Sequence, residues 1–343
     1  MTFSEKKRGR SRRANRRLGA PAHDGLGHSG FARKGVAHGV FAPRATQSIL
    51  LAALVAIAAF STLSCSTLGA RGEYDPALGR ATITERRVPA SAVSRVRAID
   101  FVSDRVPPSL EGYRVIFVSD IHFMNRFSQK RLDTLMAEID AQGADCIILG
   151  GDLTLSAGNL AKFAKAAGTL HAKEGVYAVL GNHDFFNSRR KFVEYLRNAG
   201  IVTLDETTIE TPRGLALSGI NDFRDVFPVM KPFLDTVPAG DFAILASHDP
   251  DFMEKAPIDD LSRFDLVLSG HTHGGQITFF GWAPIIPSEY GQRYRTGTVF
   301  KDGVPVIVSN GAGYSGERFR FRFCAPSDYL LITLRRPDPT KDR

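Results

Sequence analysis

The sequence predicts an α/β fold of two packed mixed β-sheets flanked by helices. Three observations point there. Short, wholly apolar runs such as Cys146-Ile147-Ile148-Leu149 and Leu266-Val267-Leu268 recur along the chain, and a strand apolar on every side belongs in a sheet covered on both faces. Segments of helical spacing separate the early runs, the pattern of βαβ units. The later runs are joined by shorter links that suit mixed or antiparallel pairing, and two packed sheets with helices outside accommodate both halves.

Taken in order, Arg114–Ser119 reads as a strand and Ser128–Ala141 as a helix, with Leu132, Leu135, Met136 and Ile139 at helical spacing. Cys146–Leu149 is a strand followed by a helix around Asn159–His171. Val176–Leu180 is a strand followed by a helix around Ser188–Asn198. Ile209–Ile220 predicts a hairpin, and Phe242–Ala246 and Asp265–Ser269 predict short strands. Gln276–Phe280, Val304–Ser309 and Tyr329–Leu334 complete the second set. The alternation Arg318-Phe319-Arg320-Phe321-Arg322-Phe323 has the period of a half-buried strand with a solvated arginine face. The apolar stretch Phe279–Ile286, with Trp282, reads as a loop packed on the core; an acyl contact, a nucleobase contact and a membrane-facing flap are the alternatives.

Five motifs sit directly after predicted strands: Asp120-Ile121-His122, Gly151-Asp152, Gly181-Asn182-His183-Asp184, Ser247-His248 and Gly270-His271-Thr272-His273. In an extended segment positions two apart face one way, so Asp120 and His122 can reach one ion. Asp152 offers one oxygen to each of two ions, and flanking glycines let backbone approach closely. Asn182 is a neutral oxygen donor. His183 is placed to protonate a leaving oxygen or to stabilise the phosphoryl charge, and Asp184 to orient its imidazole. His271 and His273 form a ligand pair, joined by His248. Alone, a D-x-H or a G-D is an ordinary loop. Yet of the six histidines after residue 91, all but His171 fall in these motifs, a grouping that independent placement does not produce. Nitrogen and oxygen donors in this number suit two divalent ions at the mouth of a sheet, and a two-metal site most often cleaves phosphate esters.

Together, D-x-H, G-D, G-N-H-D, a single H and G-H-x-H resemble the motif order of the calcineurin-like metallophosphoesterases, over roughly residues 90–335. The extension Gly274-Gly275-Gln276 and the segment Ser309-Asn310-Gly311-Ala312-Gly313 resemble one branch, the membrane-associated bacterial phosphodiesterases of the YkuE and YaeI type. Ala325-Pro326-Ser327-Asp328 departs from the Pro-Pro-Glu usual there. The resemblance implies a four-layer α/β/β/α sandwich. It implies that Asp120, His122 and His273 bind a first ion, that Asn182, His248 and His271 bind a second, and that Asp152 bridges them. His183 would be the catalytic imidazole with Asp184 behind it. The implied reaction is in-line attack by a hydroxide held between the ions on a phosphodiester or pyrophosphate, including a lipid-linked one. Mn, Fe, Zn, Co and Ni suit these donors about equally. A nucleotide phosphodiesterase or nuclease on the same fold is the alternative, and a non-catalytic metal-binding scaffold a more distant one.

The net charge of +8 is a property of the N-terminus. Residues 1–44 hold eleven Lys/Arg against Glu5 and Asp24, leaving the remainder at −1. A nucleic-acid-binding body carries a basic face and usually a basic total, so no stable nucleic-acid partner is expected. Ser48–Phe60 and the residues up to Cys65 form an uncharged apolar run of signal or membrane-anchor length. Basic residues stay on the cytoplasmic side, so the catalytic domain is expected outside the cytoplasm, anchored through this segment or lipid-linked at Cys65. The expected organisation is a basic n-region (1–47), a signal or anchor segment (48–65), a linker (66–90), a catalytic domain (91–335) and a polar tail (336–343).

Overall fold

Along the strand β3 (Arg114–Val118), Val115 and Phe117 face the space between two sheets while Ile116 and Val118 face a helical layer, and all four are fully buried. Successive side chains of a strand point to opposite faces, so a strand apolar at every position needs cover on both. That requirement, repeated in β4 (Cys146–Gly150), β9 (Ala243–Ser247) and β10 (Leu266–Ser269), generates the architecture. The computed structural model describes residues 81–185, 189–221, 236–316 and 321–338.

With strands numbered in chain order, the first sheet runs β1 (Thr82–Pro89), β2 (Arg95–Val102), β13 (Asp328–Arg335), β3, β4, β5 (Val176–Val179), β6 (Val202–Thr203). Its β3-β4-β5-β6 half is parallel, while β13 is antiparallel to β3 and parallel to β2. The second sheet runs β11 (Gly297–Lys301), β12 (Val304–Val308), β10, β9, β8 (Ala216–Ile220), β7 (Thr207–Glu210). Its centre is parallel and its two edge strands are antiparallel. The mixed sheets expected from the changing link length are therefore present.

Three apolar clusters make four layers. Phe117, Ile148, Val179, Leu217, Ile244 and Leu268 fill the space between the sheets. Ile116, Ile147 and Ala178 pack outward on helices Gln129–Asp140, Leu160–Ala167 and Arg189–Asn198. Leu245, Val267 and Val306 pack on the short helices Phe252–Lys255 and Ile258–Leu261. Helix Gln129–Asp140 shows why the sequence folds this way locally: Ser128 accepts the Arg131 amide as N-cap, and Leu132, Leu135, Met136 and Ile139 form its buried stripe.

Three expectations differ from the structure. The stretch read as linker contains β1, which is mostly exposed, with Ile83 half-buried against the inter-sheet cluster, and is paired with β2 over its whole length; its polar composition reflects an edge strand with little to bury. Gln276–Phe280 forms only isolated bridges, Ile277 with Phe323 and Phe279 with Trp282. Of the Arg/Phe alternation, residues 317–320 lie outside the described residues, and Phe321–Phe323 form no named strand. The expected anchor, residues 48–65, also lies outside them, and among the described residues no helix is long and apolar enough to cross a membrane.

Candidate metal centre

All five motifs leave the carboxyl ends of parallel strands: β3, β4 and β5 from one sheet, β9 and β10 from the other. Crevices at such strand ends are where open α/β sheets bind ligands. The packing of sheet on sheet therefore brings two half-sites, far apart in the chain, to one place.

The local backbone differs from the expected extended form. Asp120 (φ 53°), His122 (φ 46°), Asp152 (φ 53°), His271 (φ 66°) and His273 (φ 53°) all occupy the left-handed region, costly for residues with a side chain and most often stored at functional sites. Asp120 and His122 thus converge by curling rather than by strand alternation. Backbone bonds hold the curl: Asp120 N to Gly151 O at 2.9 Å, His122 N to Asp152 O at 2.9 Å and Gly313 N to Asp120 O at 2.7 Å. Close approach accounts for the glycine at 151. A Cβ there would lie 2.5 Å from His248 Nδ1 and 2.7 Å from the Gly181 nitrogen.

The structure brings together every residue singled out in the sequence. Asp120, His122 and His273 form one group with ligand atoms within 4.8 Å of one another, and Asp152, His248 and His271 form a second. His122 Nε2 is 3.0 Å from His273 Nε2, and His248 Nε2 is 3.2 Å from His271 Nδ1. Between the groups, Asp152 Oδ2 is 3.5 Å from both His122 Nε2 and His248 Nε2. Asn182 and His183 line a 310 Å³ cavity over the site with Asp152, His271 and His273, and the His183 ring centroid is 5.0 Å from that of His122.

Asp184 has partners other than the one expected. Its carboxylate accepts the Leu153 amide at 3.0 Å, the Thr154 amide at 3.3 Å and the Gly181 amide at 3.0 Å. It ties the Gly151-Asp152 loop to the Gly181–Asp184 loop, where the sequence reading had placed the His183 imidazole.

Crowding distorts the titration of this site. Burial lowers His122 to about 4 and His273 well below the usual imidazole range, and raises Asp120 to about 6 and Asp184 to about 7. His248 goes the other way. Burial opposes its protonation, but the Asp152 carboxylate and the Gly150 carbonyl outweigh that and lift it to about 10. Opposed charges and neutral imidazoles with converging lone pairs are what a bound cation satisfies. One buried polar atom fits the same account: among the described residues, Asn182 Oδ1 has no hydrogen-bond partner.

Two further residues belong to the site. Asp249, buried next to His248, places Oδ2 3.6 Å from His271 Nε2, where a carboxylate orients a ligating imidazole. Its adjacency in Ser247-His248-Asp249 was a usable signal. Arg322 donates to the carbonyls of His273 (2.8 Å), Asn310 (2.6 Å) and Gly313 (2.7 and 2.9 Å), and its Nη2 lies 3.2 Å from His273 Nδ1. Nothing local in the sequence distinguishes it from its neighbours.

Residues 113–275 match the family model described as calcineurin-like phosphoesterase. An uncharacterized metallophosphoesterase of Aquifex aeolicus is 26% identical over 255 residues, covering 70% of this chain and 92% of that one. The metallophosphoesterase YkuE of Bacillus subtilis is 26% identical over 241 residues, covering 68% and 82%. A zebrafish transmembrane protein with a metallophosphoesterase domain is 27% identical over 206 residues, covering 55% of this chain and 47% of that protein. With these likenesses falling on a fold whose strand ends gather the expected motifs, residues 113–275 carry a calcineurin-like phosphoesterase domain, and the chain is a metal-dependent phosphoester hydrolase.

Proposed function

We propose that the chain binds two divalent cations and hydrolyses phosphodiesters or pyrophosphates at a membrane. The observation that carries this reading is the place of Asp152, one carboxylate oxygen 3.5 Å from an imidazole of each donor group. Asp120, His122 and His273 would hold one ion, Asn182, His248 and His271 the other, with Asp152 shared. Bound there, such ions supply an activated water and neutralise phosphoryl charge.

The remaining work falls to the chain's own residues. His183 lines the cavity beside both groups and would give a proton to the oxygen that leaves phosphorus. Asp184 fixes that loop through backbone amides, and Asp249 and Arg322 hold His271 and His273 from behind. The membrane setting is favoured by the basic and apolar N-terminal segments of the sequence and by the zebrafish relative being named a transmembrane protein.

The test is metal content together with bis(p-nitrophenyl) phosphate hydrolysis, with and without Mn²⁺, for the wild type, His183→Ala and Asp152→Asn. About two ions per chain are expected in the wild type, two-metal sites being the common hydrolytic arrangement. His183→Ala should keep its metal and lose roughly 10²–10⁴-fold in kcat, whereas Asp152→Asn should lose metal and activity together. A wild type that binds no metal would sink the assignment.

A further inference from the structure

Behind Asp120 runs the segment Ser309–Gly313, which leaves β12 without forming helix or strand and is buried at every residue. A buried stretch outside regular structure must find a partner for each amide, and here all five have one. Three donate to backbone at strand ends: Ser309 N to Ser269 O at 2.8 Å, Ala312 N to Ser119 O at 3.0 Å and Gly313 N to Asp120 O at 2.7 Å. The other two converge on one carboxylate. Asn310 N donates to Asp328 Oδ1 at 2.8 Å. Gly311 N donates at 2.9 Å to Ser309 Oγ, which itself donates to the same Asp328 oxygen at 2.9 Å.

Asp328 is fully buried and opens β13, so it grips from the first sheet a segment that leaves the second. Its other oxygen lies 3.4 Å from Arg95 Nη2 and 4.0 Å from Arg97 Nη1. Two donors on one oxygen and two guanidinium groups facing the other are partners that a carboxylate satisfies and a carboxamide, with a single acceptor oxygen, does not. Toward the metal centre the segment has no slack: a Cβ on Gly311 would lie 2.5 Å from Asp120 Cβ. Packing this close transmits a displacement rather than absorbing it.

We propose that Asp328 is a positioning residue for Asp120, setting the place of that carboxylate at the metal centre by holding Ser309–Gly313 against the end of β3. The inference rests on the phosphohydrolase reading above. It adds a residue more than two hundred positions from Asp120 in sequence that acts through neither donor group directly.

The test is calorimetric Mn²⁺ titration of the chelator-treated full chain, with urea unfolding of the same samples. The wild type should show two binding steps, and Asp120→Asn identifies the one that depends on Asp120. Asp328→Ala should weaken that step about 10–100-fold, the usual effect of losing a group that orients a ligand, and leave the other within about twofold. Ser309→Ala removes only the hydroxyl between Asp328 and Gly311. It should weaken the same step by about tenfold, the lower end of that range, and it decides the matter if Asp328→Ala does not fold. Arg95→Met breaks the ion pair on the other carboxylate oxygen and leaves the segment's bonds in place, so it should lower urea stability with both steps unchanged. Unchanged Mn²⁺ affinity in Asp328→Ala or in Ser309→Ala overturns the proposal. So does a loss shared equally by both steps, which is what general loosening of the fold would give. An Arg95→Met protein that loses as much affinity as Asp328→Ala assigns the effect to the charge pair and overturns it too. In each of these cases the wild type still binds two ions and the hydrolase reading stands. A wild type that binds no metal removes that reading and this inference with it.

Discussion

Replacing Arg322 by methionine keeps most of the side-chain volume and removes the fork that closes the site from behind. The guanidinium reaches three carbonyls within 2.9 Å, those of His273, Asn310 and Gly313, and more distantly those of Gly311 and Ala325 at 3.2 Å. Burial draws it down to about 10, so it is still charged at neutral pH. Each carbonyl left without a donor costs about 1–3 kcal/mol. Because the side chain is only half-buried, water can reach part of the gap, and the lower figure applies to each of the three short contacts. The expected loss is about 3 kcal/mol, or roughly 6–12 °C in Tm for a body of this size. The same residue anchors the His273 loop, so metal affinity should fall by about 10–100-fold, the usual effect of losing a group that orients a ligand. Urea unfolding of the chelator-treated protein gives the first quantity and calorimetric Mn²⁺ titration the second. Arg322→Lys should fall between the two proteins, since one ammonium cannot fork to carbonyls on several loops. A loss below about 1 kcal/mol with unchanged metal affinity would show that water replaces the guanidinium and would refute its positioning role.

Other outcomes follow from the same contacts. Asp249→Asn, which removes the charge 3.6 Å from His271 Nε2, should weaken metal binding about tenfold or more while leaving urea stability of the metal-free protein nearly unchanged; equal affinity would remove Asp249 from the site. Saturation with Mn²⁺ at about 100 times its Kd should raise stability by about 2.7 kcal/mol, seen as a Tm rise of roughly 5–10 °C over the chelated protein, and an unmoved melting curve would contradict a cation site in the folded state. Glu85 accepts two bonds from the buried Arg97, at 2.9 and 3.0 Å. Burial alone would raise its carboxyl, but the charges and hydrogen bonds of Arg97 and Arg87 outweigh burial and hold it below its ordinary value of 4.5. A depressed carboxyl stabilises the fold above its unfolded-state value and loses that contribution as pH falls through the folded-state value. The stability gap between wild type and Glu85→Gln should therefore shrink as pH is lowered from about 6 to about 3; a gap that widens on acidification would show that the pairing is not what sets it.

The sequence by itself determined the order of the central strands along the chain, the helices between the early ones, and which Asp and His residues gather at the strand ends. Those features are local. A run such as Ile147-Ile148-Leu149 is apolar on both sides because the strand is covered on both, and the ligand that follows must come where the strand ends. Only the tertiary structure decided the rest. Asp120 and His122 were expected to align along an extended segment, yet both curl into left-handed backbone that the Asp152 loop and Gly313 hold in place. Asp184 was read beside the imidazole it adjoins in sequence, and its oxygens instead take amides from a loop some thirty residues earlier. Arg322 looked like one solvated arginine among several and is the anchor of His273. The edge strand Thr82–Pro89 was invisible because its polar residues carry no burial pattern to read. In each case the deciding contact joins residues far apart in the chain, and periodicity reports only which side of an element is buried, not what buries it.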